Sequence, residues 1–241
     1  MLYSMKTDKG VVRDMNQDNC YVAVFENNSC FGVVCDGMGG PKAGDVASEI
    51  AIKEIADRFT EGWNGDKSID DARALLTKAI KTANLKILAL SESNEMYEGM
   101  GTTVVAAFCK DDDVIIANVG DSRAYVIDDE ITQISKDHSL LQELMDKGKI
   151  SSQQAINFPA KNVITRALGI DNHVDIDFYS IKLNEGCLLL CSDGLYNFAD
   201  ENDIKNLICN SDKFNMLADE LVQLANSNGG GDNITAVLIK R

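Results

Sequence analysis

Histidine is nearly absent from this 241-residue chain, with His138 and His173 the only two. Zinc sites that need two or three imidazoles, the H-E-x-x-H helix among them, are therefore hard to build, and any metal chemistry has to use oxygen ligands. No two of the seven cysteines form a C-x-x-C pair, and none is followed six residues later by arginine, which excludes the phosphate loop of cysteine phosphatases. Most cysteines sit among Val, Leu, Phe and Ile and are expected to be reduced thiols buried in strands. Neither G-x-x-x-x-G-K-[ST] nor G-x-G-x-x-G occurs, which removes the two common nucleotide-phosphate cradles. The two prolines, Pro41 and Pro159, mark no linker, and no repeat or low-complexity tract divides the chain. Residues 1–10 lack the apolar core of a secretory signal, and the longest apolar runs, such as Val104 to Cys109, are too short to span a bilayer. Basic residues are few: 23 Lys and Arg stand against 38 Asp and Glu, a net charge of −15 that repels nucleic acid over most of the surface. The expectation is one cytoplasmic domain, monomeric, without a membrane span and without a nucleic-acid partner.

The periodicities alternate in blocks. Short strand-like runs come first, at Leu2 to Thr7, Cys20 to Phe25 and Cys30 to Cys35, the last two joined by Glu26-Asn27-Asn28-Ser29 as in a hairpin. Two long helical patterns follow over 43–60 and 69–93, carried by Val46, Ala47, Ile50, Ile55 and Phe59 and by Ala72, Leu76, Ala79, Ile80, Ala83 and Ile87. Strand patterns return at Thr102 to Phe108, Val114 to Asn118, Ser122 to Ile127 and Ile131 to Ile134, which the polar turns between them suggest is one antiparallel meander. Residues 139–162 are polar and mixed, with short helices expected around Leu140 to Lys147 and Gln153 to Phe158. Strands resume at Val174 to Ile181 and Cys187 to Cys191, helices at 201–210 and 213–226, and Ile234 to Lys240 closes the pattern. Helices layered on sheets are the predicted α+β architecture.

Aspartates recur at the ends of apolar strands beside glycine: Asp36-Gly37-Met38-Gly39-Gly40, Gly120-Asp121-Ser122, Ser192-Asp193-Gly194 and Gly230-Gly231-Asp232-Asn233. Each alone would be an ordinary turn. Four at apolar strand ends point carboxylates from rigid edges, where they either converge on a ligand or repel one another. Hard divalent cations with oxygen ligands relieve that repulsion, so a carboxylate-rich metal site is the physical reading. Phosphoester hydrolysis, nucleotide handling and structural binding all remain open at this point.

The ordered set Arg13-Asp14-Met15-Asn16-Gln17-Asp18, Asp36-Gly37-Met38-Gly39-Gly40, Gly101-Thr102-Thr103, Asn118-Val119-Gly120-Asp121-Ser122-Arg123, Asp137-His138-Ser139, Thr165-Arg166-Ala167-Leu168-Gly169, Ser192-Asp193-Gly194-Leu195 and Gly231-Asp232-Asn233-Ile234-Thr235 resembles the motifs of the protein phosphatase 2C family, metal-dependent serine/threonine phosphatases, in its compact bacterial branch. The resemblance runs from Arg13 to Thr235. It implies a four-layer α-β-β-α sandwich of two antiparallel sheets flanked by pairs of antiparallel helices, with a flap at about 139–165. It also implies two core Mn2+ or Mg2+ ions, with Asp36 bridging them, the Gly37 carbonyl on one, and Asp193 and Asp232 completing the protein ligands. Asp18 would act through metal-bound water, and Asp121 with Asp193 would hold a third cation. Arg13 would grip two phosphate oxygens through its planar fork. Thr102, Thr103, Asn118 and Asn233 are read as hydrogen-bonding support, His138 as a structural hydrogen-bonding residue and His173 as an exposed loop residue. Met38, where many eukaryotic relatives have His, cannot donate a proton to a leaving group.

The implied function is hydrolysis of phosphoserine and phosphothreonine in proteins, opposing a serine/threonine kinase. Two alternatives stand beside it: a phosphatase dedicated to an anti-sigma-factor antagonist, and a non-catalytic phosphoprotein-binding module, whose signature would be loss of Asp36, Asp193 or Asp232.

Overall fold

A computed structural model describes residues 1–40, 43–155, 158–160 and 163–241. Its eleven strands are β1 (Leu2–Asp8), β2 (Asp18–Phe25), β3 (Ser29–Met38), β4 (Gly101–Thr102), β5 (Val104–Lys110), β6 (Asp113–Val119), β7 (Arg123–Ile127), β8 (Ile131–Gln133), β9 (Asp177–Lys182), β10 (Cys187–Cys191) and β11 (Ile234–Lys240). Seven α-helices are described: α1 (Gly44–Gly62), α2 (Ile69–Ser93), α3 (Leu140–Asp146), α4 (Ser152–Ala155), α5 (Asp193–Tyr196), α6 (Glu201–Asn210) and α7 (Leu217–Ser227). The strands form two antiparallel sheets, ordered β1-β11-β10-β7-β8 and β2-β3-β5-β6-β9, with β4 paired to the end of β3.

Alternation along the central strands shows why these two sheets stack. Phe31, Val33 and Cys35 of β3 and Val104, Ala106 and Phe108 of β5 turn toward α1 and α2. Cys30, Val34, Val105, Ala107 and Cys109 turn the other way, onto Leu188, Leu190, Val237 and Ile239 of the facing sheet. Leu189, Cys191, Ala236 and Leu238 then face away from the interior, into the layer of α6 and α7. Strands buried on both faces read as continuous apolar runs, and that is the pattern of β5, β10 and β11. The α-β-β-α layering expected from the sequence is therefore the one observed.

Local chemistry sets several boundaries. Ser68 and Asp71 form a reciprocal capping box that starts α2. The β2–β3 turn holds Asn27 and Asn28 at φ 69° and 51°, left-handed values that Asn tolerates, and Phe25 pairs with Ser29 so that only three residues lie in the loop. Five of the seven cysteines are buried; Cys20 is half-buried and Cys209 exposed. Burial pushes the Cys30, Cys187 and Cys191 thiols up to about 12, so these are inert packing groups.

The meander expected after α2 is not formed. β5 and β6 belong to one sheet, whereas β7 and β8 belong to the other, and the chain crosses between sheets at Gly120-Asp121-Ser122. Gly120 makes the crossing at φ +107°, and a Cβ there would press into Thr103. The predicted strand over Thr102 to Phe108 is likewise split at Thr103. Asp177, rather than Val174, begins β9, and a 3-10 turn at Phe214–Met216 precedes α7. The helix expected over Gln153 to Phe158 is observed only as α4, and its residues 156 and 157 lie outside the described residues. Among the described residues no helix is long and apolar enough to cross a membrane.

Under α1, Phe59 stacks on Phe31 at 4.4 Å between ring centroids and lies 5.2 Å from Phe108, which meets Trp63 at 4.3 Å. Phe59→Ala should cost about 3–5 kcal/mol in urea unfolding with an unchanged slope, through the cavity it leaves. A loss below about 1 kcal/mol would show that this aromatic cluster does not anchor α1 to the sheet.

Candidate metal centre

The β2–β3 ladder puts Asp18 directly opposite Asp36. Like charges at such a cross-strand position destabilise a sheet unless a cation or a proton intervenes. The backbone around Asp36 is nevertheless fixed from both sides. Its N–H donates to Thr103 Oγ1 at 3.0 Å, and its carbonyl accepts from the Thr103 N–H and from Thr102 Oγ1, each at 2.9 Å. Next to it, a Cβ on Gly37 would fall about 2.0 Å from the Gly44 carbonyl oxygen, so only glycine lets the start of α1 close against this strand end.

Asp18 is buried, and its Oδ2 accepts from Ser192 Oγ at 2.6 Å and Thr235 Oγ1 at 2.7 Å, whereas its Oδ1 has no partner among the described residues. Thr7 and Thr235 are hydroxyl neighbours at 2.8 Å, and the Thr235 N–H donates to Ser192 Oγ, so the first carboxylate is tied to both strands that carry Asp193 and Asp232. The sequence motifs contained Ser192 and Thr235 but assigned them no role. Their adjacency to Asp193 and Asp232 was the available signal.

Asp121 sits at the sheet-to-sheet crossing. Its backbone carbonyl accepts from the Tyr196 hydroxyl at 3.1 Å, and the Tyr196 ring is covered by Arg123 at 3.6 Å. Arg123 in turn holds Asp137 through Nε and Nη2, a bidentate pair that sequence reasoning passed over. Asp193 opens α5 right after β10, and its Oδ2 accepts from Asn197 Nδ2 at 3.1 Å. Asp232 precedes β11, its Oδ1 accepting the Asn233 N–H at 2.9 Å and its Oδ2 accepting from Arg13 Nη2 at 2.7 Å. Asn233 locks the loop that carries Arg13 by accepting from the Gln17 N–H and donating to the Lys9 and Met15 carbonyls.

These groups line one cleft of about 280 Å3: Arg13, Asp36, Gly37, Met38, Asp121, Asp193 and Asp232. Asp18 is not among the lining residues, although it pairs with Asp36 across the ladder. A larger cavity of about 620 Å3 elsewhere is also lined by acids, Asp128, Asp129, Glu185 and Asp212, but holds none of the Asp-Gly motif residues and no arginine. Burial pushes the Asp36 carboxyl far above the usual range, with Asp18, Asp193, Asp121 and Asp232 adding repulsion. Burial also pushes Asp18 up to about 7, against the two hydroxyl donors, and Asp121 up to about 7, with Asp193 reinforcing the shift. Among the described residues no three His, Cys, Asp or Glu side chains are already drawn close enough to enclose one ion. The Arg13 guanidinium is the counter-ion of Asp232. The donor set, all hard oxygen with one buried carboxylate oxygen unpartnered, suits Mn2+ or Mg2+.

His138 is outside the cleft. Its Nδ1 accepts the Gly120 N–H at 3.0 Å and its Nε2–H donates to Asp177 Oδ2 at 3.1 Å, while burial lowers its pKa and keeps it neutral. It supports the crossing beside Asp121. Asn118 Nδ2 donates to the Gly120 and Lys136 carbonyls at the same place. His173 is exposed and pairs with Asp175.

The protein phosphatase 2C family profile matches residues 11–238. The serine/threonine phosphatase stp of Listeria monocytogenes is 40% identical over 238 residues, spanning 98% of this chain and 94% of that one. The protein phosphatase PhpP of Streptococcus pneumoniae is 34% identical over 243 residues, spanning 99% and 97%. Among solved structures, the serine/threonine phosphatase Stp1 from Staphylococcus aureus superposes with a TM-score of 0.92 at 39% identity, covering 99% of this chain and 95% of that one. The Streptococcus agalactiae serine/threonine phosphatase superposes with a TM-score of 0.91 at 33% identity, covering 98% of each. Fold, motif order and full-length similarity agree, and the chain belongs to the protein phosphatase 2C family of serine/threonine phosphatases.

Proposed function

We propose that this protein hydrolyses phosphoserine and phosphothreonine in cytoplasmic phosphoproteins, reversing the action of a serine/threonine kinase, and that it does so with divalent cations held in the carboxylate cleft. The observation that carries the reading is the convergence of Asp36, Asp121, Asp193 and Asp232 on one cleft with Arg13 at its mouth. Asp36 and the Gly37 carbonyl, with Asp193 and Asp232, would hold two Mn2+ or Mg2+ ions, and Asp121 with Asp193 a third. Bound there, the cations supply Lewis acidity, lowering the pKa of a water toward neutrality and countering negative charge on the phosphoryl oxygens.

The remaining steps belong to the chain itself. Asp18, anchored through Oδ2 by Ser192 and Thr235, keeps its buried Oδ1 unpartnered and would orient water beside Asp36. Arg13 has the planar donor fork that a phosphate dianion requires, and exchanging Asp232 for the phosphate would align the ester. No imidazole lines the cleft among the described residues, and Met38 carries no proton to give, so another acid, a water held among the carboxylates, would protonate the leaving oxygen. The excursion at 139–165 is proposed as the flap over this cleft; Ile164, paired with Ser139 in a short bridge, already lines it. All three signature ligands are present, which favours an enzyme over a binding module.

Hydrolysis of p-nitrophenyl phosphate should require added Mn2+ or Mg2+ and stop with a chelator, and Asp193→Asn and Asp232→Asn should each lower kcat about a hundredfold or more. Turnover in excess EDTA, or near-normal rates in both variants at saturating metal, would overturn the ligand assignment. Arg13→Ala should raise KM for a phosphothreonine peptide about tenfold or more, with a smaller change in kcat. Unchanged constants would leave Arg13 only its ion pair with Asp232.

A further inference from the structure

The cavity of about 620 Å3 lies at the far ends of the strands that carry the acidic cleft, below the start of β1 and β10 and the ends of β7 and β11. At about 3.3 Å per residue along β10, the two sites are roughly 20 Å apart. Its lining is mixed: apolar side chains, with Leu2 57% exposed and Ile208 and Phe214 half-buried, stand among acidic ones. Single exposed apolar residues are ordinary, whereas an open cavity that sets apolar side chains among carboxylates at the junction of four strands and two helices is a place for a partner of matching chemistry.

Charge around the cavity identifies the partner. Asp129, Glu185 and Asp212 stand on the rim, and among the described residues no hydrogen bond or ion pair engages their side chains. The C-terminal end of α6 also reaches the groove, with no basic residue in its last turn to offset the carbonyl dipole. Lys240, the one cation lining the groove among the described residues, sits with its Nζ 5.9 Å from the Phe214 ring centroid, which shows that the ring face accepts an ammonium. The complement of such a surface is a chain of alternating cationic and apolar side chains.

We propose that this groove docks a segment rich in Lys or Arg and apolar residues, belonging to the phosphoprotein substrate but outside its phosphorylated stretch. The inference rests on the phosphatase reading only for the occupant's being a substrate. It answers a difficulty that the composition raises: with a net charge of −15, the surface repels phosphopeptides, which are themselves acidic. A second attachment roughly 20 Å away offsets that repulsion by raising the effective concentration of the phosphorylated residue at the cleft.

The test uses the full chain and a fluorescein-labelled, unphosphorylated peptide of alternating Lys and Leu, read by fluorescence anisotropy. The wild type should bind, and Asp129→Lys with Asp212→Lys should weaken binding about tenfold or more. Leu2→Ser should weaken it severalfold, and all variants should keep the wild-type melting temperature. Glu95→Lys with Glu98→Lys, exposed positions outside the groove, should bind as the wild type does. No binding would overturn the proposal, and so would equal losses in the two charge-reversed pairs, which show general attraction to an acidic surface. A phosphothreonine peptide joined to the same segment by about twelve Gly and Ser residues, long enough to span the two sites, should show roughly tenfold higher kcat/KM than the peptide alone. The gain should vanish in Asp129→Lys with Asp212→Lys while p-nitrophenyl phosphate turnover is unchanged. Binding without that gain would overturn the substrate assignment. Absent p-nitrophenyl phosphate turnover in the wild type would instead strike the phosphatase reading, since anisotropy needs no turnover.

Discussion

Asp18 and Asp36 face each other across adjacent strands with three more carboxylates around their cleft, and the rest of the fold is arranged to hold that repulsion in place. Each acid is fixed by rigid neighbours. Asp36 is clamped through its own backbone by Thr102 and Thr103, Asp18 through its side chain by Ser192 and Thr235, and the Asp121 carbonyl by the Tyr196 hydroxyl under Arg123. Asp232, half-buried, takes an arginine as its counter-ion. Spread over flexible loops, these charges would separate; at strand ends they cannot move far.

The two stacked sheets make this possible. β3 brings Asp36 from one sheet, β10 and β11 bring Asp193 and Asp232 from the other, and the chain passes between sheets at Gly120-Asp121-Ser122, placing Asp121 where the layers meet. The apolar alternation that buries β3, β5, β10 and β11 on both faces thus fixes the separation of the acids, because a slip of one residue in any register would turn every core side chain over. Neutral His138 braces the crossing from the outside through the Gly120 N–H.

Much of this was legible in the sequence, for identifiable reasons. The periods of 69–93, 187–191, 201–210 and 234–240 are strong and uninterrupted, and their elements appear with those boundaries. The aspartates were visible because acids beside glycine at the ends of apolar runs are chemically out of place. Sheet membership was not legible: β6 and β7 are joined by three residues and look like a hairpin, and only the left-handed Gly120 marks a change of sheet. The hydroxyls on Asp18 were also hidden, since Ser192 and Thr235 are ordinary strand-end residues until the fold brings them across from β2. The Arg13–Asp232 pair joins residues 219 positions apart, a contact that local pattern does not encode.

The most direct test of the carboxylate cleft as a cation site is thermal unfolding of the metal-free protein between pH 6.5 and 8. Asp18 and Asp121 are held near 7 against 3.8 when free, so the native state binds more protons than the unfolded chain and loses stability as pH rises through the native values. Asp36, raised further, extends the loss toward higher pH. The melting temperature should therefore fall across this window without metal, fall less in Asp36→Asn, and be raised at pH 8 by millimolar Mn2+ in the wild type, because a ligand that binds only the folded state stabilises it. A metal-free melting temperature that stays flat or rises with pH, together with no response to Mn2+, would contradict the account.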